Sequence, residues 1–282
     1  MLNDRIVQLP LETGASDVGD KEIDYTHPLS LQCAMFETSD PLEASVADRQ
    51  TRVPGFSQET LSRLTVLVVG AGALGGEIAE GLVRKGVGIL KILDFDVVEP
   101  SNLCRQFFIR QDLYQPKAWA LARNLAPHGF MGTRITAWNL SFEEACEQEI
   151  DLKCDLAISA VDDGRTRVAI SRFATKRGIP ALFGGASASA DYAQLFIQEV
   201  GQACFGCVFP DEVGDERSPC PGSPAVKDIF KALAGIALYS VDSLIMDRPR
   251  SWNWHTYCPS DAMFTESSRM ARRPDCPLCD SG

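Results

Sequence analysis

Residues 65–105 constrain the fold more than any other part of the chain. They contain, in order, a short apolar run rich in β-branched residues (66–69), a glycine turn (70–75), a helical stretch (77–85) and a second apolar run (88–93) that ends in Asp94. Apolar runs of this length are typical of buried strands. The segment therefore predicts a strand, a glycine turn, a helix and a strand ending in an acid, as in a doubly wound α/β sheet.

The glycine turn predicts a nucleotide site. Gly70 allows a tight turn, Gly72 lets the backbone approach a phosphate, and Gly75 brings helix and strand together. The free N–H groups at the start of the helix would then face an anion. Asp94 is placed to accept hydrogen bonds from a ribose hydroxyl. The alternative is a close-packed turn without a ligand.

The residues after Asp94 favour a triphosphate over a dinucleotide. Asp96, Asn102 and Arg105 crowd the region just beyond the second strand. A dehydrogenase needs only the first acid there, whereas Arg105 suits phosphate oxygens because its guanidinium can bind two of them at once. The alternative is a surface ion pair between Arg105 and Asp96 or Glu99.

Four motifs together carry a family resemblance. They are GAGALGG at the glycine turn, LDFDVVEPSNLCRQFF after it, Gln115-Pro116-Lys117, and Ala160-Val161-Asp162-Asp163. From about Arg49 to Cys279 the chain resembles the ThiF/MoeB/HesA adenylyltransferases, relatives of the ubiquitin-activating enzymes. The resemblance implies a homodimer that uses ATP to adenylate the C-terminal glycine, in a Gly-Gly end, of a small ubiquitin-like or sulfur-carrier protein.

The resemblance also implies roles for individual residues. Those implied to bind ATP are Gly70, Gly72, Gly75, Asp94, Asp96, Asn102, Arg105, Gln106, Lys117 and Asp162. Asp162 would hold Mg²⁺, although Asp163 departs from the asparagine usual in the family and makes the choice between the two acids less certain. Arg49 would reach the phosphates of the partner subunit, and its alternative is a surface arginine. Arg167 matches a family arginine with a mainly structural part.

Lys117 has support of its own from its position. Tyr114 to Ala126 is predicted as a helix with Pro116 in its first turn, so Lys117 falls near the helix N-terminus. The helix dipole disfavours a lysine there unless it has an anionic partner. A phosphate would be such a partner.

The order of elements gives the fold class, an α/β Rossmann-like mixed sheet with a ThiF-type C-terminal antiparallel extension and a four-cysteine zinc site. Residues 134–138, 155–160 and 179–184 are predicted as further strands, and 192–197 alternates as an antiparallel strand does. We expect an acidic leader or strap (1–48), an ATP-binding half (49–185) and a zinc-bearing, carrier-binding half (186–282). Within the leader, 29–31 and 35–36 offer apolar anchors.

Charge and composition exclude some classes of protein. The net charge is −11, and the ten acidic and two basic residues of 1–48 account for −8 of it. This balance argues against nucleic-acid binding. No apolar run approaches the roughly 18 residues of a membrane helix, and the N-terminus lacks a secretory pattern. Ten cysteines beside a nucleotide motif indicate a reducing compartment, which we take as the cytoplasm.

Four cysteines form two C-x2-C pairs, Cys204 with Cys207 and Cys276 with Cys279. Four thiolates suit a closed structural zinc site. The wide separation of the pairs makes spacing alone only suggestive, and the resemblance places zinc ligands at both points. A redox C-x-x-C pair is the competing interpretation.

Cys220 differs because it lies in a proline-rich loop before a predicted helix that begins at Ala225. A nearby Arg217 and the helix start would lower the pKa of its thiol. The resemblance implies that a cysteine here can form a thioester or persulfide with the activated carrier, and the alternative is a bystander.

Three rival functions remain open at this stage. An NAD-dependent oxidoreductase is allowed by the glycine motif but not favoured by Asn102, Arg105, Lys117 and Asp162. An adenylating tRNA dehydratase is weakened by the acidic balance. A non-catalytic partner of another activating subunit would be expected to lose the ATP-binding set, which is intact here.

Overall fold

The predicted strand–turn–helix–strand unit is present in the computed structural model, which describes residues 7–8, 32–36, 44–187, 189–213, 225–246, 248–259 and 265–279. The strands in these residues are β1 (Val7–Gln8), β2 (Cys33–Phe36), β3 (Thr65–Val69), β4 (Ile89–Leu93), β5 (Arg134–Trp138), β6 (Leu156–Ser159), β7 (Ala181–Ala186), β8 (Ala193–Gln198), β9 (Trp254–Tyr257) and β10 (Glu266–Ser268). The α-helices are α1 (Asp48–Thr51), α2 (Gln58–Arg63), α3 (Ala73–Lys85), α4 (Lys117–Leu125), α5 (Phe142–Glu147), α6 (Gly164–Arg177), α7 (Phe205–Val208) and α8 (Lys227–Ile245).

These strands form one mixed sheet in the order β1-β2-β5-β4-β3-β6-β7-β8-β9-β10. Strands β5, β4, β3, β6 and β7 are parallel. Beyond β7 the pairing becomes antiparallel through β8, β9 and β10. The predicted Rossmann-like mixed sheet with an antiparallel C-terminal extension is confirmed.

Strand β3 shows how the sheet separates two cores. Val66 and Val68 pack on the face covered by α3, α4 and α8, while Leu67 and Val69 pack on the face covered by α5, α6 and α7. Both faces are buried, so the strand is apolar throughout rather than alternating. The helices cover both faces of the sheet and leave the carboxyl ends of the parallel strands uncovered.

The leader contributes two strands, β1 and β2, that its sequence did not predict. β2 pairs antiparallel with β5, and β1 pairs parallel with β2 at the sheet edge. The anchor at 35–36 lies in β2, whereas 29–31 lies outside the described residues. The leader shows no periodicity of its own because β2 is stabilised by a strand about 100 residues later in the chain.

Two predicted helix starts were wrong. α3 begins at Ala73, before the predicted Glu77, because the glycines of its first turn hide the apolar period. α4 begins at Lys117, after the predicted Tyr114, because Tyr114 has φ +67° and Pro116 forms a β-bridge with Val97. Pro116 is therefore the N-cap and not a first-turn residue.

No helix in the described part of the chain is long and apolar enough to cross a membrane.

Candidate functional site

A cavity of about 350 Å³ opens at the carboxyl ends of the parallel strands. Nine of the predicted nucleotide-binding residues line it: Gly70, Gly72, Asp94, Asp96, Asn102, Arg105, Gln106, Lys117 and Asp162. Gly75 does not line the cavity, because it packs closely against the backbone of Gly70. Cys220 and Arg217 lie outside the described residues.

The glycine turn leaves one side open toward the cavity. Gly70 has φ +96°, and a Cβ there would lie 2.7 Å from the carbonyl oxygen of Ala160. A Cβ on Gly75 would lie 1.8 Å from the carbonyl oxygen of Gly70. At Gly72 the nearest atom to such a Cβ is Nε2 of Gln106 at 3.9 Å. Gly70 and Gly75 are thus needed for the turn itself, while the space beside Gly72 is available to a ligand.

Asp94 ties this turn to the loop that follows β4. Its Oδ2 accepts a hydrogen bond from the backbone N–H of Ala71 at 2.6 Å, and its Oδ1 accepts one from that of Asp96 at 2.8 Å. Burial raises the pKa of Asp94 to about 6, although Lys117 and the two N–H donors act in the opposite direction. Because a carboxylate offers about four lone pairs, Asp94 retains acceptors for further donors.

Lys117 and Arg105, two of the cations that line the cavity, differ in their partners. The ammonium of Lys117 is buried and donates to Oδ2 of Asp96 at 2.7 Å. The guanidinium of Arg105 donates to the carbonyl of Ser101. Among the described residues no carboxylate lies within ion-pair distance of Arg105. The alternative pairing of Arg105 with Asp96 or Glu99 is therefore not present, and Asp96 pairs with Lys117 instead.

Asn102 and Gln106 are both buried, but only the side-chain oxygen of Asn102 has a hydrogen-bond partner among the described residues. Oδ1 of Asn102 accepts a hydrogen bond from the backbone N–H of Glu99 at 2.9 Å and so closes the 3-10 turn Pro100–Asn102. Oε1 of Gln106 is buried without a hydrogen-bond partner in the described residues. A buried amide of this kind is unfavourable by itself and is expected to gain a partner when the cavity fills.

The neighbouring acids Asp162 and Asp163 do different things. Asp163 is the N-cap of α6, and its Oδ2 accepts from the backbone N–H and the hydroxyl of Thr166, both at 2.8 Å. Asp162 is exposed and lines the cavity. Asp163 therefore caps α6, whereas the carboxylate of Asp162 accepts no hydrogen bond from the described residues.

Several cavity residues were not among the predicted site residues. Leu140, Phe142 and Glu143 follow the carboxyl end of β5 and line the cavity wall. They belong to no motif, and their position directly after a parallel strand was the only available signal. Arg167, which was expected to be structural, also lines the cavity.

Arg49 lies far from the cavity of its own chain. Its neighbour Gln50 donates through Nε2 to the carbonyl of Lys85 at 3.1 Å, at the C-terminus of α3. The N-terminus of α3 lines the cavity, and its 13 residues span about 20 Å. The side chain of Arg49 is 89% exposed.

The four predicted metal ligands come together on the face of the sheet that α5, α6 and α7 cover. The sulfur atoms of Cys204, Cys207, Cys276 and Cys279 all lie within 4.8 Å of one another. Four of the non-bonded distances between pairs of these sulfur atoms lie between 3.3 and 3.8 Å. Tetrahedral zinc with bonds of about 2.3 Å would place its sulfurs about 3.8 Å apart. The backbone N–H of Arg273 also donates to the sulfur of Cys207 at 3.3 Å. The cluster could therefore hold a metal ion.

A glycine turn, an acid at the end of a parallel strand and several cations around one cavity are the arrangement typical of nucleotide-binding α/β proteins. Residues 47–278 match the ThiF family, and the chain belongs to that family. The predicted family is thus confirmed, and with it the class of enzyme, an adenylyltransferase.

Several curated relatives are similar over most of their length. The chain is 29% identical over 232 residues to a sulfur carrier protein adenylyltransferase of Thermus thermophilus, covering 79% of this chain and 84% of that one. It is 26% identical to a molybdopterin-synthase adenylyltransferase of Escherichia coli, covering 82% and 94%. Other relatives are longer, and the chain spans only 46% of the ubiquitin transferase-like protein Cap2 of Escherichia coli.

Solved structures support the fold alone. The crystal structure of Escherichia coli MccB with succinimide superimposes with a TM-score of 0.66 at 18% identity, covering 79% of this chain and 68% of that chain.

Membership of the ThiF family removes the NAD-dependent oxidoreductase from the rival functions.

Proposed function

We propose that the protein uses ATP to adenylate the C-terminal glycine of a small ubiquitin-like or sulfur-carrier protein, releasing pyrophosphate. The observation that carries this proposal is that a single cavity collects Gly72, Asp94, Arg105, Lys117 and Asp162. Those residues match, in type and order, what an Mg-ATP site requires.

Each residue has a distinct role in this proposal. The backbone beside Gly72 approaches the phosphates, and the free lone pairs of Asp94 accept hydrogen bonds from the ribose. Asn102 shapes the turn that presents Arg105, and the amide of Gln106 contacts the phosphate chain. Arg105 and Lys117 stabilise negative charge as it develops on the phosphates.

Asp162 would hold Mg²⁺, which neutralises charge on the triphosphate when bound. The donor set fits, because Mg²⁺ takes one or two carboxylates and keeps the rest of its shell for water and phosphate. Asp96 completes the acidic side of the cavity by orienting Lys117.

The chemical step follows from these positions. A carboxylate oxygen of the carrier's terminal glycine attacks the α-phosphorus, an O–P bond forms, and the bond between the α-phosphorus and its bridging oxygen breaks as pyrophosphate leaves. No proton has to be removed, because the nucleophile is ionised at neutral pH. This agrees with a described cavity lining that contains cations and no histidine. Positioning and electrostatics would supply the rate.

Two further parts of the proposal concern the bound metal ion and the compartment of the protein. We place Zn²⁺ in the Cys204, Cys207, Cys276 and Cys279 cluster, where it would join the C-terminal segment to the core. The buried position of the cluster and its four sulfurs favour this over a redox pair. Such thiolates are best kept in the reducing cytoplasm.

The assembly is proposed to be a homodimer in which Arg49 serves the partner's cavity. Support comes from the distance between Arg49 and the cavity of its own chain.

Cys220 is proposed as the acceptor of the activated carrier. The division into residues 1–48, 49–185 and 186–282 remains part of this proposal.

The proposal is tested by ATP–pyrophosphate exchange with small β-grasp proteins that end in Gly-Gly. We expect carrier-dependent exchange in the wild type and its loss in Asp162→Asn. Asp163→Asn is the matched control, because asparagine also caps a helix and should preserve exchange. Absence of exchange with every carrier, or equal loss in both variants, would contradict the proposal. Hydrolysis of ATP dependent on tRNA would favour the dehydratase instead.

A further inference from the structure

Arg167 occupies an unusual place between the cavity and the protein interior. It lies in the first turn of α6, is partly buried and lines the cavity. Its Nε donates to the carbonyl of Val161 at 3.1 Å. Val161 directly precedes Asp162, so this hydrogen bond fixes the backbone next to the acid proposed to hold Mg²⁺.

The end of β7 is shaped to admit the guanidinium. A Cβ on Gly185 would lie 2.9 Å from Nη2 of Arg167. A side chain at this position would press on the end of the guanidinium, so Gly185 leaves Arg167 the room that it occupies.

Glu212 supplies a negative charge near the start of α6. It ends the 3-10 turn Pro210–Glu212, which follows α7 and the first cysteine pair. Its Oε2 would lie 2.7 Å from a Cβ on Gly164, so it packs against the start of α6. Burial lowers the pKa of Arg167, and Glu212 is the largest of the opposing charges, followed by Asp162 and Asp163.

Asp162 depends on its backbone for a defined position. It makes no side-chain hydrogen bond within the described residues and is exposed. A metal-binding carboxylate usually relies on surrounding groups for orientation, and losing such a group costs about 10- to 100-fold in metal affinity.

We propose that Arg167 is a positioning residue that holds the loop of Asp162 through its hydrogen bond to the carbonyl of Val161. The proposal rests on the proposed role of Asp162 in binding Mg²⁺. Arg167 acts through this loop, and Arg105 and Lys117 remain the cations assigned to the phosphates.

Calorimetric titration with ATP, in the presence of Mg²⁺ and again with a chelator, separates these roles without any carrier protein. Arg167→Lys keeps the charge but loses the planar guanidinium whose Nε–H donates to the carbonyl of Val161. We expect its affinity for ATP with Mg²⁺ to fall about tenfold and its affinity without Mg²⁺ to change less than about twofold. Arg172→Lys, an exposed position on the same helix, is the control and should change neither value.

Glu212→Gln removes a neighbouring negative charge but leaves the hydrogen bond of Arg167 to Val161 in place. We therefore expect it to change the affinity for ATP with Mg²⁺ by less than about twofold, whereas Arg167→Lys lowers that affinity about tenfold. If Arg167→Lys weakens ATP binding equally with and without Mg²⁺, or if Glu212→Gln loses as much affinity as Arg167→Lys, the positioning role is wrong. Asp162→Asn in the same titration distinguishes the cases. A loss confined to Asp162→Asn overturns the role of Arg167 alone, whereas no loss in Asp162→Asn overturns the magnesium site as well.

Discussion

The ammonium of Lys117 donates to the carboxylate of Asp96 at 2.7 Å, and the backbone N–H of Lys117 donates to the carbonyl of the same residue at 2.8 Å. Both hydrogen bonds hold the first residue of α4 against the loop after β4. A lysine at this end of a helix faces the positive end of the dipole, which the Asp96 carboxylate offsets. The pair therefore places a buried ammonium at the edge of the cavity, where phosphate oxygens could replace or join Asp96.

Replacing this ammonium should slow adenylation much more than it weakens the fold. For Lys117→Met we expect pyrophosphate exchange to fall on the order of 10²-fold, as for loss of one preorganised charge. Stability should change little because Asp96 is 52% exposed and can be solvated. Lys176→Met, at an exposed position on α6, is the control. Wild-type exchange by Lys117→Met would show that the lysine serves only the helix.

The raised pKa of Asp94 predicts a specific pH dependence of stability. Its pKa is about 6 in the folded chain against an ordinary value of 3.8, so folding favours the protonated form. The resulting stabilisation is complete below pH 3.8 and is lost as the pH rises through about 6. Asp94→Asn cannot titrate and should not show this loss.

Thermal unfolding of the unliganded protein from pH 4 to pH 8 tests this point. We expect the midpoint of the wild type to fall relative to that of Asp94→Asn between pH 4 and 6, and the difference to stay constant above that range. Parallel curves for the two proteins would mean that the carboxyl group titrates near its ordinary value.

The glycine turn offers a matched pair of substitutions. Gly75→Ala places a Cβ 1.8 Å from the carbonyl oxygen of Gly70, so we expect a loss of about 3 kcal/mol or more in the free energy of unfolding. Gly72→Ala meets no atom closer than 3.9 Å and should fold with a change below about 1 kcal/mol. Its added methyl nevertheless occupies the side open to the cavity, and ATP affinity should fall about tenfold. Denaturant unfolding and calorimetry measure the two effects, and unchanged ATP affinity in Gly72→Ala would place the phosphates elsewhere.

The cysteine cluster predicts a metal-dependent stability. Cys276→Ser should purify with less than one zinc ion per chain and unfold at a lower temperature than the wild type, since the binding energy of a structural metal is folding energy. Cys146→Ser alters an exposed thiol outside the cluster and should retain both zinc and stability. Elemental analysis and thermal unfolding give the answer. A wild type without metal and with two disulfides would favour the redox interpretation.

Much of the site could be predicted because a parallel sheet brings the ends of its strands together. Gly70, Asp94 and Asp162 each follow a buried apolar run, and that position alone placed them at one edge. The pairing of Lys117 with Asp96 could not be foreseen, because it depends on how the loop after β4 folds back on α4. The strand β2 was missed for a related reason, since its register is set by β5 and not by a local pattern.

The wall formed by Leu140 and Phe142 was also missed. Apolar residues after a strand have the same composition whether they close a core or line a cavity, and only the packing of α5 decides between the two. Similarly, the capping role of Asp163 was not predicted, and it is seen only in the hydrogen bonds of Asp163 to Thr166.

The location of Arg49 leads to a test of the proposed dimer. Arg49 lies beside the C-terminus of α3, while the cavity of the same chain lies beside its N-terminus. If Arg49 serves the partner's cavity, then Arg49→Ala and Asp162→Asn should each be inactive as purified. A mixed dimer of the two would contain one complete site, formed by Asp162 of one chain and Arg49 of the other.

Mixing the two variants in equal amounts, with reversible dissociation to allow exchange of subunits, should restore about a quarter of the wild-type exchange activity, since half of the dimers are mixed and each has one working site. Mixing Asp162→Asn with Lys117→Met is the control, because both residues line the cavity of one chain. Each mixed dimer there has one defect in each cavity, so no activity should return. Equal recovery in the control, or none in the first mixture, would show that Arg49 does not act across a dimer.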